Sequence, residues 1–114
     1  ILYCWYWLFG RRDSDFGHIL ENIVFLELLR RGYSVQIGKI GELEIDFVAS
    51  NPKEKIYIQV SQSIMDEKTL NRELRALQTI PDNYEKIIIS MDKNYALSIE
   101  GIKIKNAIQW LLEV

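Results

Sequence analysis

Apolar and polar residues alternate along this chain in blocks that change period several times, and the changes mark its elements. GHILENIVFLELLRRG reads as a helix. Asp15 can cap its start, Arg30 and Arg31 suit the negative end of its dipole, and Gly32 suits a left-handed stop. YSVQIGKI alternates weakly, as a strand does, and Gly41 makes a turn. ELEIDFVA is a second strand, NPKEK a hairpin-type loop and IYIQVSQS a third strand. Three strands with short connections predict an antiparallel meander. DEKTLNRELRALQTI then places Leu70, Leu74 and Leu77 at i, i+4 and i+7, an amphipathic helix that Pro81 closes. YEKIIIS is a continuous apolar run, the mark of a strand covered on both faces. Strand, helix and buried strand predict a right-handed crossover onto the same sheet. Residues 91–101 read as irregular, IKIK as a short strand and NAIQWLLEV as a closing helix capped by Asn106. The pattern predicts an α/β fold: a three-layer-like sandwich with a central mixed sheet and helices on its faces.

Composition narrows this picture. The chain has 114 residues, one domain by size, and 48% of them are apolar, enough for a core. One cysteine, Cys4, excludes an internal disulfide and a thiolate metal cluster. This agrees with a reducing, cytoplasmic setting. The net charge of −2 means that any nucleic-acid contact must rest on a local patch. The opening ILYCWYWLFG is about half the length needed to cross a bilayer and lacks the basic start and small-residue cleavage site of a signal peptide. Residues 1–14 read as an aromatic segment, the stub of an upstream region, and residues 15–114 as a single domain. The alternative for the segment is a terminal helix folded onto the domain's own core.

Four polar residues stand on apolar elements. Glu21 has Val24, Phe25 and Leu28 as same-face neighbours, so its carboxylate lies on or beside a buried stripe. Buried unpaired, it would be expensive, so it calls for a donor, a metal or a water-lined cleft. Glu27 differs, because Arg31 one turn on makes a solvated ion pair the sufficient reading. Asp46 interrupts a strand, a poor place for aspartate, and alternation puts it on one face with Glu44 and Val48, opposite Ile45, Phe47 and Ala49. Gln59 and Ser61 share a face of the following strand. Together the four make a cluster of oxygen donors suited to a hard cation such as Mg²⁺, or equally a structural hydrogen-bond network. His18, the one histidine, reads as solvated. No phosphate-binding loop is present. Lys68, Arg72 and Arg75 form a basic stripe, read as a solvated face tempered by Glu67 and Glu73.

Glu21 on a first helix, Asp46 on one strand and the polar pair at 59 and 61 on the next resemble the PD-(D/E)XK nuclease superfamily. The helix, three strands, helix, strand order resembles its restriction-endonuclease-like core. The stretches GHILENIVFLELLRRGYSV, GELEIDFVA, IYIQVSQS and GIKIKNAIQWLLEV resemble more closely a C-terminal domain of unknown function that follows the AAA+ ATPase module in archaeal and bacterial ATPases. The likeness covers roughly residues 15 to 114. It implies that Glu21 and Asp46 are metal-associated carboxylates, that Gln59 stands at the second acidic position and that Ser61 stands at the lysine. The last two depart from the pattern: an amide binds Mg²⁺ more weakly than a carboxylate, and serine supplies no cation to the reacting phosphate.

Three readings follow. The first is an accessory domain of a larger AAA+ ATPase with a degenerate nuclease-like site (Glu21, Asp46, Gln59 and Ser61), serving regulation, interaction or nucleic-acid binding. Its partner is the ATPase domain of the same parent chain. The second is an active Mg²⁺-dependent DNA hydrolase with Glu21, Asp46 and Gln59 on the metal and Lys68 or Arg72 on the phosphate. The third is a module that dimerises through its aromatic N-terminus.

Overall fold

The computed structural model describes residues 15–93 and 98–113, with side chains from Gly17 onward except that of Ile40. The expectations for the aromatic segment lie outside the described residues. Helix α1 (Asp15–Arg30) takes in Asp15 itself, so the helix starts one residue earlier than the cap assignment placed it. It ends as the sequence predicts. Gly32 has φ 92°, its N–H donates to the Leu29 carbonyl (3.0 Å), and the Tyr33 N–H donates to that of Leu28 (3.1 Å). This is the paired closure that a left-handed residue permits.

Strands β1 (Ser34–Ile40), β2 (Leu43–Ser50) and β3 (Lys55–Val60) form the antiparallel meander. Helix α2 (Glu67–Gln78) carries the chain to β4 (Glu85–Ser90), which pairs parallel to β3. The Asp66 side chain caps α2 by accepting from the Thr69 N–H. A two-residue strand β5 (Ser98–Ile99) lies within the stretch read as irregular, because it pairs antiparallel with β6 (Ile102–Asn106). Strand β6 runs parallel to β4, and the short helix α3 (Ala107–Leu112) follows, capped by Asn106 as expected. The sheet order is β1-β2-β3-β4-β6-β5, so the sheet is mixed.

The two faces of the sheet bury separate cores. On one, Leu20, Val24 and Leu28 of α1 and Ala107 and Trp110 of α3 pack on Phe47, Ala49, Ile58, Val60, Ile87 and Ile89. On the other, Leu74, Ala76 and Leu77 of α2 pack on Ile45, Tyr57, Ile88, Ile102 and Ile104. This is the helix–sheet–helix layering predicted above. Among the described residues no helix is long and apolar enough to cross a membrane.

One departure from alternation shapes the site. Gln36 pairs with Val48, but Gly38 pairs with Ile45, so the single residue Ile37 of β1 faces both Asp46 and Phe47 of β2. This bulge breaks the period. Ile45 therefore joins the α2 side instead of sharing a face with Phe47 and Ala49. Ile45 and Val48 then crowd the same spot on β1. A Cβ added at Gly38 would stand 2.7 Å from Val48 Cγ2 and 3.1 Å from Ile45 Cβ. Gly38→Ala is expected to cost about 1–2 kcal/mol by overpacking, read as a lower urea midpoint at unchanged slope. A wild-type midpoint would mean that the bulge relaxes freely.

Candidate carboxylate site

The β2–β3 ladder registers Phe47 with Ile58 and goes no further toward the β3 end, whereas β3 stays with β4 through Val60. The two strands part at Asp46 and Gln59, where the bulge has bent β2. Side chains replace the lost ladder. The Asp46 N–H donates to Gln59 Oε1 (2.8 Å), and Gln59 Nε2 donates to the Glu44 carbonyl (3.2 Å). The Val60 N–H donates to Asp46 Oδ2 (2.8 Å). A backbone N–H can only donate and a carbonyl can only accept, so one orientation of the Gln59 amide satisfies both. Gln59 is buried, and each end of its amide is committed to the β2 backbone.

Above this lock lies a cavity of about 270 Å³ lined by Glu42, Leu43, Glu44, Asp46, Gln59, Arg72, Glu73 and Ala76. Glu73 is only 8% exposed, close to the least buried core residues such as Tyr57 and Ile104 at 7%. The solvated-face reading of Glu73 is therefore corrected. It stands three residues after Leu70 and four before Leu77, inside the apolar stripe of α2, so helical spacing alone turns it toward the sheet. That spacing was the signal that could have found it. Lys68, Arg72 and Arg75 do lie on the exposed side of α2. Arg72 reaches back to Glu73 at 3.5 Å, at the long limit of a hydrogen bond.

Burial dominates the electrostatics. Removal from water is the largest cause raising the Asp46 pKa; the Val60 N–H opposes it, and the charge of Glu44 adds to it. Glu73 is pushed up from 4.5 to about 7, chiefly by burial, then by the charge of Asp46, with Arg72 working the other way. Two carboxyl groups facing one small cavity disfavour ionising together.

The structure thus brings together Asp46 and Gln59, with Glu44 at the rim, and adds Glu73. It places the other two site residues elsewhere. Strand β3 ends at Val60, so Ser61 lies beyond it; its hydroxyl donates to the Ser63 carbonyl (2.9 Å), and its N–H continues the pairing to Ile89. Glu21 is on α1, which packs on the opposite face of the sheet. It does not line the cavity, and its carboxylate is 3.6 Å from His18 Nδ1. Among the described residues, no three His, Cys, Asp or Glu side chains are grouped so as to hold a metal ion. The Gln59 oxygen already serves a backbone N–H. The donor set therefore fits the expected Mg²⁺ centre only in the carboxylates of half-buried Asp46 and buried Glu73.

The Glu27–Arg31 ion pair expected from the spacing forms, and Arg30 joins it. Glu27 binds both Arg30 (2.8 and 2.6 Å) and Arg31 (2.6 Å), and those bonds, Arg30 first, hold its pKa down at about 2. Arg31 is more than a solvated partner. It lies 4.4 Å over the Trp110 ring and donates to the carbonyls of Trp110 (2.6 Å) and Glu113 (2.9 Å), fixing the end of α3.

The chain is 41% identical over 104 residues to an uncharacterised protein of Haemophilus influenzae. The match takes in 91% of this chain and 25% of that protein, so the chain spans about a quarter of the relative's length. No family model matches the chain.

Proposed function

We propose that this chain is an accessory domain of a longer AAA+ ATPase, built on a restriction-endonuclease-like core whose catalytic position has become a structural lock. The observation that carries this reading is Gln59. At the position where a PD-(D/E)XK nuclease holds its second acid, this chain has an amide with each end bonded to the β2 backbone. The order of helix, meander, helix and parallel strand supports the core assignment. The resemblance of the sequence supports the ATPase context, and the length of the relative agrees with a larger parent. The exposed Lys68, Arg72 and Arg75 suit phosphate-backbone contact without cutting.

A second reading has one observation in its favour, the placing of Glu73 beside Asp46. In it, Asp46 and Glu73 hold a divalent cation, which supplies charge for phosphodiester hydrolysis.

One experiment separates the two. Calorimetric titration with Mg²⁺ and Mn²⁺ is run on wild type, Asp46→Ala and Glu73→Gln, beside a DNA cleavage assay. The lock reading expects no cleavage with either metal. Cleavage that disappears in both variants would replace it with the second reading.

A further inference from the structure

The end of β3 farthest from the carboxylate lock carries a second group of charged and aromatic side chains. Alternation on β3 sends Lys55 and Tyr57 to the α2 face of the sheet. On β4 it sends Lys86, in register with Tyr57, to the same face. The neighbouring acids leave that face. Glu85 shares the opposite face with Ile87 and pairs with Lys103 (2.7 Å), and Glu54 accepts from the Tyr33 hydroxyl. Asp82 stays, but it is committed: it accepts from the Tyr57 hydroxyl at 2.6 Å and lies 3.7 Å from Lys86 Nζ. The Lys86 side chain is only 13% exposed, and its Nζ donates to the carbonyls of Asp82 (2.8 Å) and Tyr84 (3.1 Å). Those bonds fix the turn that presents Tyr84, whose ring side is half exposed at 50%. Lys55 Nζ stands 5.6 Å from the centre of the Tyr84 ring and 5.3 Å from that of Tyr57. Among the described residues Lys55 forms no ion pair with a carboxylate.

We infer that this group is a contact site for single-stranded nucleic acid, in which one base stacks on Tyr84 and an adjoining phosphate meets Lys55. The fit is one of chemistry. A nucleotide carries a flat ring and a negative charge a few bonds apart, and the site offers an exposed ring and an ammonium with no acid bonded to it. Stacking accepts any base, because every base has a flat face, and a cation beside the ring adds to it. A duplex hides its base faces, so only a strand with unstacked bases can use Tyr84. Further phosphates find cations on either side. Lys53 is exposed in the β2–β3 loop, and Arg75 is exposed in the last turn of α2, the helix that leads into the Tyr84 turn. A chain of net charge −2 needs a local patch of this kind to hold a polyanion. The site lies at the other end of β3 from Gln59, and the lock reading neither needs it nor falls with it.

Fluorescence anisotropy with a labelled single-stranded oligonucleotide, on the full chain at low salt, tests this. Tyr84→Leu should weaken binding about tenfold or more, the loss of one stacked base, and Tyr84→Phe should keep it. Lys55→Gln should weaken binding and flatten the slope of log affinity against log salt by about 0.7, one phosphate contact on a single strand. A strand carrying a fluorescent adenine analogue should be quenched by wild type and by Tyr84→Phe but not by Tyr84→Leu, a readout that a merely structural tyrosine would not move. Far-ultraviolet dichroism checks that each variant is folded. A duplex of the same sequence should bind more weakly than the strand. Three results would overturn the inference: wild type that binds no strand, a duplex held as tightly, or Tyr84→Leu that binds as wild type does. Displacement of the strand by polyglutamate at matched charge would assign the patch to an acidic protein partner and overturn it too.

Discussion

Gln59→Glu is expected to lower stability by about 3 kcal/mol and to create no nuclease. On the nuclease resemblance alone, this change restores an acid and should help a metal bind. The geometry predicts the reverse. A carboxylate can still accept from the Asp46 N–H, now held at 2.8 Å. It cannot donate to the Glu44 carbonyl, which Nε2 now reaches at 3.2 Å, so two acceptors would be pressed together. An orphaned buried acceptor costs roughly 1–3 kcal/mol, and a charged group costs more. The new charge would also join Asp46, Glu73 and Glu44 in a cavity with Arg72 as its lining cation. Urea denaturation of the two proteins at pH 7 measures the difference. A variant as stable as wild type that also cuts DNA with Mg²⁺ would end the lock reading.

The second large effect is a dependence of stability on pH that Glu73 imposes. Its folded pKa, about 7, lies above its ordinary 4.5. Between those values the folded chain keeps a proton that the unfolded chain has released. The stabilisation is therefore complete below pH 4.5 and is lost as the pH rises through about 7. Allowing for the open mouth of the cavity and for Arg72, the loss is about 2 kcal/mol. Glu73→Gln has no proton to lose. In buffer with a chelator it should be about 2 kcal/mol more stable than wild type at pH 8, and the gap should close toward pH 4. Glu27, whose pKa is depressed, titrates in the opposite sense but is common to both proteins and cancels. A gap that stays constant from pH 4 to 8 would mean that Glu73 ionises normally.

Elements whose signals are local were legible in the sequence. Gly32 stops α1, Asn106 caps α3, the leucines of α2 face the sheet, and IIIS of β4 lies buried on both sides. The order of the first four strands follows from short connections and one helical crossover. The site was half legible. An aspartate amid apolar strand residues is conspicuous in any sequence, and Asp46 does stand at the cavity with Gln59. What alternation misplaced is Ile45, because a bulge is decided by two strands jointly and leaves no mark on one. Glu73 was passed over for another reason. Its charge suggested solvent, while its spacing from Leu70 and Leu77 pointed inward, and on a packed helix the spacing prevails. Ser61 follows the last residue of β3, a boundary that apolar pattern alone cannot fix.

Arg31 and the sheet order together bear on how the chain acquires this shape as it is made. Strand β6 is near the end of the sequence but lies between β4 and β5 in the sheet. The carbonyls that receive the Arg31 guanidinium belong to Trp110 and Glu113, later still. A nascent chain emerging from a ribosome N-terminus first would hold the meander and α1 with one flank of β4 bare. It would gain that flank's strand and the partner of its first helix only with residues 102–113. Assembly is therefore a closing step that waits for residues 102–113, and a chain cut after Asp92 should stay soluble only while a chaperone covers β4.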